Sequence, residues 1–187
     1  MAYCNQNLTG IQLDCTNSVG GIKTVYIANY GDVKSVELDT VDDSTPTSAD
    51  TTFGMITGIT MVDGATFKPY QFRKQTGSMT STLNVDETAG INYISTELNL
   101  VFTKMETAKR LNMSALAIGQ LAVIVEDCNG KFWYLGKDDY VSASAGSANT
   151  GQNKGDSNNY GLTLRDESIT YPYEVDREAV EKVIEKK

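Results

Sequence analysis

The chain has 187 residues, 40% of them hydrophobic, which suits one domain with a real core and excludes a chain disordered throughout. Sixteen basic residues against 24 acidic ones give a net charge of −8, a surface sign that repels phosphate backbones and excludes tight DNA or RNA binding as the main role. Histidine is absent, which removes His-based triads, His general bases and nearly all catalytic zinc sites together.

The start is polar and lacks the basic and then apolar regions of a secretion signal. No run approaches the length of a membrane span, so a soluble protein with no membrane partner is expected. Cys4, Cys15 and Cys128 make an odd count without C-x-x-C spacing, against a disulfide scaffold or a structural zinc.

Residues 21–28 read as a first strand, and 33–38 as its partner across an Asn-Tyr-Gly-Asp turn. Between Asp32 and Asp50 lie six acidic residues and one lysine, a balance of −5. The stretch 39–52, broken by Pro46 and rich in Ser and Thr, reads as a solvated loop. A strand is expected at 55–62, then a turn at Asp63-Gly64. A further strand at 68–75 contains Pro69, which suits an edge.

From Thr80 the pattern alternates. Thr80, Thr82, Asn84 and Asp86 fall on one face, with Ser81, Leu83 and Val85 on the other. After a connection ending in Gly90, Ile94, Thr96, Leu98, Leu100 and Phe102 share one face, and Ser95, Glu97 and Asn99 the opposite one. Together the two runs predict a long β-hairpin. Thr103-Lys104-Met105-Glu106 fits the S/T-x-x-E capping box, predicting a short helix from about Lys104 to Asn112 with Met105, Ala108 and Leu111 as its apolar stripe.

The nearly unbroken apolar run at 121–128 predicts a central strand covered on both faces. Asn129-Gly130 predicts a type I′ turn into a partner strand at 131–135. Residues 142–159, built of Ser, Ala, Gly and Asn, read as a long polar segment, either a binding or assembly loop that orders on contact or a linker, with the former favoured. A late strand follows from Tyr160, then an extended segment with Pro172. A terminal helix near 176–187 is expected, with Asp176 as N-cap and Val180, Val183 and Ile184 on one face.

Chemistry-bearing constellations are missing. No P-loop, dinucleotide-binding or nucleophile-elbow motif is present. Adjacent carboxylates such as Asp42-Asp43, Asp86-Glu87 and Asp138-Asp139 point apart in extended chain and read as solvated charge, not a glycosidase pair. A calcium-loop pattern from Asp156 fails at its fifth position, where Tyr160 replaces an oxygen ligand. No catalytic residue, cofactor or metal is expected.

The order of elements resembles the tail-tube proteins of tailed bacteriophages. The resemblance is carried by 80–102 for the hairpin, 103–111 for the helix, 121–135 for the following strand pair and 160–173 for the end. It implies a mainly β fold with a flanking helix (α+β), one tail-tube-like domain over 1–187, built as a two-sheet β-sandwich or barrel. Flexible loops fall near 39–52 and 142–159. The resemblance further implies a non-enzymatic virion subunit, assembled in the bacterial host cytoplasm and stacked as hexameric rings with itself and other tail proteins in the virion tail. DNA would pass through an anionic lumen without tight binding. Thr80, Thr82, Asn84, Asp86, Ser95, Glu97 and Asn99 would face the channel, and Asp42, Asp43, Asn149, Asn153 and Asp156 would lie in inter-ring contact loops. The alternative from another class is a ligand-binding β-sandwich, carbohydrate-binding or adhesin-like, with Trp133, Tyr134 and Tyr140 as a stacking platform.

Overall fold

The computed structural model describes residues 11, 13, 15–39 and 54–185. It is mainly β. In chain order the strands are β1 (Ile22–Asn29), β2 (Val33–Leu38), β3 (Ile56–Met61), β4 (Lys68–Tyr70), β5 (Gly77–Asp86) and β6 (Ile91–Thr103). After helix α1 (Thr107–Ile118) come β7 (Leu121–Asp127), β8 (Phe132–Leu135), β9 (Ser142–Asn149), β10 (Asn159–Ser168) and β11 (Tyr173–Val175), and then helix α2 (Arg177–Val183). Neither helix is long and apolar enough to cross a membrane.

The strands form two sheets, one of seven strands in the order β2-β3-β11-β8-β7-β1-β4 and one of four in the order β5-β6-β10-β9. Alternation along the central strands explains the layering. On β1, Val25 and Ile27 face the four-stranded sheet while Tyr26 and Ala28 face away. On β7, Val123 and Val125 face it, and Ala122 and Ile124 face away. The inner faces meet Leu98, Leu100 and Phe102 of β6 and Leu162 and Leu164 of β10 in one core. The outer faces meet Val180 and Val183 of α2, with Phe67, Tyr134 and Val175, in a second core. β7 is therefore covered on both sides, the reason Leu121 to Val125 form a continuous apolar run. Each fully buried Val, Leu or Ile among them contributes about 1.5–3 kcal/mol by leaving water.

β1 and β2 are not a hairpin, contrary to the sequence expectation. β1 pairs with β7 and β4, whereas β2 pairs with β3 at the other end of the same sheet. Only a single 3-10 turn, Tyr30–Asp32, joins them. A link that short spans roughly 14 Å at most, so the seven-stranded sheet curls until its ends approach. The bonds Tyr30 N–H to Gln120 O (2.9 Å) and Val62 N–H to Asp32 O (2.8 Å) fix that corner. Pro69 does sit on an edge strand, β4.

Several local expectations change. The capping box at Thr103 does not form. Lys104 takes a left-handed backbone (φ 68°), and α1 begins only after Glu106, whose carboxylate contacts Lys104 instead of a backbone N–H. Asn158 engages the two intervening donors instead: its backbone O accepts Lys104 N–H (2.8 Å) and its Oδ1 accepts Met105 N–H (2.8 Å). The packed face of α1 is also not the expected stripe. Leu116 is buried and Met113 packs on the inter-sheet core, while Leu111 is exposed.

The β7–β8 turn has positive φ only at Gly130 (80°). Asp127 and Lys131 pair across three residues, a type I turn with a bulged glycine in place of type I′. The Asp127 carboxylate accepts the N–H groups of Asn129 and Lys131 (2.8 and 2.9 Å) and so holds it. The terminal helix is α2, and beyond it Ile184 bridges to Phe67 in parallel.

The largest correction concerns the supposed loop 142–159. Its first half is β9, paired along β10 with Ala148 opposite Tyr160 and Gly146 opposite Leu162. Small side chains leave no apolar period to read. The strand exists because β10 offers it a hydrogen-bonding edge.

Candidate functional site: a polar sheet face between two open edges

The four-stranded sheet has one face in the core and one face outward. The β5–β6 register places Thr80 opposite Glu97, Thr82 opposite Ser95 and Ser78 opposite Asn99, with Asn84 and Asp86 continuing along the same side opposite Tyr93 and Ile91. Directly opposed residues in an antiparallel pair share a face. The seven residues Thr80, Thr82, Asn84, Asp86, Ser95, Glu97 and Asn99 are thus brought onto one surface. The opposite face of the same hairpin carries Leu98, Leu100 and Phe102 into the core, with the hydroxyls of Ser81 and Thr96 bonded to each other at 2.8 Å.

β10 supplies residues that the hairpin alone does not reveal. Thr163, Arg165 and Glu167 lie opposite Asn99, Glu97 and Ser95 and belong to the same face. The Thr163 hydroxyl donates to Asn99 Oδ1 at 2.7 Å. Arg165 donates from Nε to Ser95 Oγ at 3.0 Å and pairs through Nη2 with Glu167 at 2.9 Å. Ser95 is consequently only 7% exposed, covered by the arginine and not open as expected. The alternation Gly161, Thr163, Arg165, Glu167 was the available signal for this strand. The face carries the carboxylates of Asp86, Glu97 and Glu167 and the guanidinium of Arg165, a local excess of negative charge.

The edges of this sheet are β5 and β9. Neither contains lysine, arginine or proline, and Asp86 at the end of β5 is their one charged residue. The edges of the seven-stranded sheet differ, since β4 carries Lys68 and Pro69, and β2 carries Lys34 and Glu37. Charges and proline on an edge are the usual means of preventing strand addition. Among the described residues, the four-stranded sheet lacks lysine, arginine and proline on both edges, with Asp86 as the one charge.

Of the expected contact-loop residues, Asn149, Asn153 and Asp156 come together in the β9–β10 turn. Asp156 Oδ2 accepts the N–H groups of Gln152 and Asn153 (2.8 and 2.7 Å), which holds its carboxyl below the usual range. Asn149 Oδ1 accepts Gly151 N–H at 2.9 Å. These side chains organise their own turn. Asp42 and Asp43 lie outside the described residues.

The aromatic platform of the alternative reading is not assembled on one surface. Tyr134 is 1% exposed within the outer core, Trp133 points to the other side of β8 with its indole N–H on Asp127 (3.3 Å), and Tyr140 packs edge-on against Tyr30 at 6.3 Å. A groove of about 340 Å³ runs between α1, β1 and the segment before β4. Its Asn29 and Asp32 side chains are bonded to each other at 2.9 Å and aim at no shared point. Among the described residues, no group of three or more His, Cys, Asp or Glu is arranged to hold a metal ion.

One buried carboxyl stands apart from the polar face. Asp166 is on the core side of β10, 5% exposed. Burial pushes its carboxyl up to about 6, and Asp138, Asp139 and Glu167 add to the rise, against one hydrogen bond from the Gly136 backbone. Asp138 is drawn the other way by the Ser168 hydroxyl, which donates to it at 2.8 Å. No family model, curated protein or solved structure matches this chain.

Proposed function

We propose that this chain is a structural subunit of a ring-forming tube, of the tail-tube or tail-adaptor kind built by tailed bacteriophages, with no catalytic step of its own. The observation that supports this most is the pair of unguarded edges on the sheet whose outer face is polar. The pairings β5–β6, β6–β10 and β10–β9 are all antiparallel, so β5 and β9 run in opposite directions. β5 of one copy laid beside β9 of the next therefore continues the antiparallel order. Repeated around a ring, this head-to-tail contact closes into a barrel without free edges.

In that barrel the outward face of the monomer's sheet lines the lumen. Thr80, Thr82, Asn84, Asp86, Glu97, Asn99 and Thr163 give it a hydroxyl, amide and carboxylate surface. Such a wall hydrates well and offers a passing DNA phosphate no cationic minimum. Six copies per ring and a place in the virion tail follow from the resemblance of the element order to phage tail-tube proteins.

The test is negative-stain microscopy and sedimentation of the concentrated protein, which should give rings or stacked tubes. Ser147→Pro and Ala148→Pro in β9 serve as controls for each other. Successive N–H groups of a strand point to opposite sides, so one variant breaks a bond to β10 and the other removes only an outward donor. The better-folded variant of the two should stay monomeric. A wild type that remains monomeric at every concentration and ionic strength overturns the reading.

A further inference from the structure

The β5–β6 hairpin is longer than the sheet that holds it. β10 ends at Ser168, opposite Ile94, so the pairs Asn84–Tyr93, Val85–Asn92 and Asp86–Ile91 continue as a two-stranded arm. On its core-facing side Leu83 and Val85 are 47% and 57% exposed. A two-stranded ribbon is marginal in water unless something covers its apolar face.

A second uncovered surface lies on α1. Ala108, Leu111, Ala115 and Ile118 recur at the three-four-three spacing of a packing seam. Leu111 and Ile118 lie away from Met113 and Leu116, which pack on the inter-sheet core, and Ala115 borders the groove toward β1. Leu111 is 58% and Ile118 89% exposed.

We propose that the α1 stripe seats the arm of a second copy of this chain, with Leu83 and Val85 of that copy packing on Leu111, Ala115 and Ile118. The inference rests on the β5-to-β9 edge contact and names what else that contact brings together. α1 packs against β9 and contributes Leu116 to the inter-sheet core, so it lies on the core-facing side of the four-stranded sheet at its β9 edge. Leu83 and Val85 are on the same side of β5. When the sheet continues from β9 into the next copy's β5, the helix and the arm's apolar face are on one side of one surface.

Charge is complementary as well. The arm's turn carries Asp86 and Glu87, and the α1 region carries the exposed Arg110, with Lys104 and Lys109 both paired to Glu106. In a protein of net charge −8 this local basic excess favours the acidic tip of a neighbour over its other surfaces.

The test uses the full chain with Cys4, Cys15 and Cys128 changed to Ser. Val85→Cys and Ile118→Cys are placed on separate copies, mixed at assembly concentration and treated with a short bis-maleimide. The expected result is a two-chain adduct in the mixture well above that of either variant alone, lost when Leu111→Glu is added to the Ile118→Cys copy. Cys15, Cys128, Val85, Leu111 and Ile118 are all exposed, so folding is retained. An adduct no greater than in the single-variant controls, or one indifferent to Leu111→Glu, overturns the inference. Rings seen by microscopy without the adduct refute the arm contact and leave the tube reading standing, whereas the adduct without rings upholds the arm contact and refutes ring closure.

Discussion

Lowering the pH from 7 to 5 should stabilise this protein, and Asp166 is the reason. Its carboxyl is buried on the core side of β10, and that burial, with Asp138, Asp139 and Glu167 nearby, pushes its pKa up to about 6 from the 3.8 of an unperturbed aspartate. Tyr134 also faces it, its phenol held neutral by burial, and the Gly136 N–H is the donor that partly offsets the rise. A raised folded-state pKa means that the native protein binds this proton more tightly than the unfolded chain. Its stabilising contribution is complete below about pH 4 and is lost as pH rises through 6.

The full difference of the two values corresponds to about 3 kcal/mol, of which roughly 1.3 kcal/mol falls between pH 7 and pH 5. Asp138 has the opposite sign, but its pKa is depressed and its stabilisation is lost only at pH below this window. Urea unfolding at the two pH values, at fixed ionic strength, should move the midpoint upward by roughly 0.6 M at pH 5 for a slope near 2 kcal/mol/M. Asp166→Asn keeps an acceptor for Gly136 N–H and removes the charge, so its midpoint should not rise. A wild-type midpoint that is flat or lower at pH 5, or a rise that persists in Asp166→Asn, refutes the reasoning.

Leu98→Ala empties a site that is wholly buried between the two sheets and should cost about 2–5 kcal/mol by chemical denaturation. Gly130→Ala places a Cβ where φ is 80° and should cost about 1 kcal/mol, with the added methyl meeting only the movable Arg177 guanidinium at 3.3 Å. A neutral result for Gly130→Ala would mean that the β7–β8 turn relaxes to another type.

The parts of the fold that were legible in the sequence are those where one strand's own residues decide its environment. β7 announces double burial through Leu121 to Val125, and the β5–β6 hairpin announces a wet and a dry face through strict alternation. The parts that were not legible depend on distant chain. β9 has no side-chain period because Ser, Ala and Gly fill it, and its existence is decided by β10. The capping box at Thr103 was a sound local signal overridden by Asn158, far along the sequence, and by the left-handed Lys104. The polar face was readable to the extent of one hairpin. Arg165 and Glu167 became part of it only when the β10–β6 register was known.

Arg165 bears directly on what the face can do. A lone guanidinium on a channel wall would bind phosphate and stall a sliding duplex, since arginine presents several donors in a fork that fits phosphate oxygens. Here part of the fork is engaged, with Nε on Ser95 Oγ at 3.0 Å and Nη2 on Glu167 at 2.9 Å, and Glu97 stands directly opposite on β6. Releasing it toward a phosphate would break a hydrogen bond and an ion pair on an otherwise negative surface. The arginine therefore acts within the sheet, tying β10 to β6 and covering Ser95, and the face keeps its negative sign. In the proposed tube this arrangement gives the lumen cross-strand rigidity from a cation without giving DNA a place to stop. Replacing Glu167 by Gln would loosen that commitment, and assembled tubes of the variant should retain polyanion in a salt-dependent way where wild-type tubes do not. Equal retention by both, at low salt, would show that Arg165 is open to phosphate in the native wall and would remove this account of the lumen.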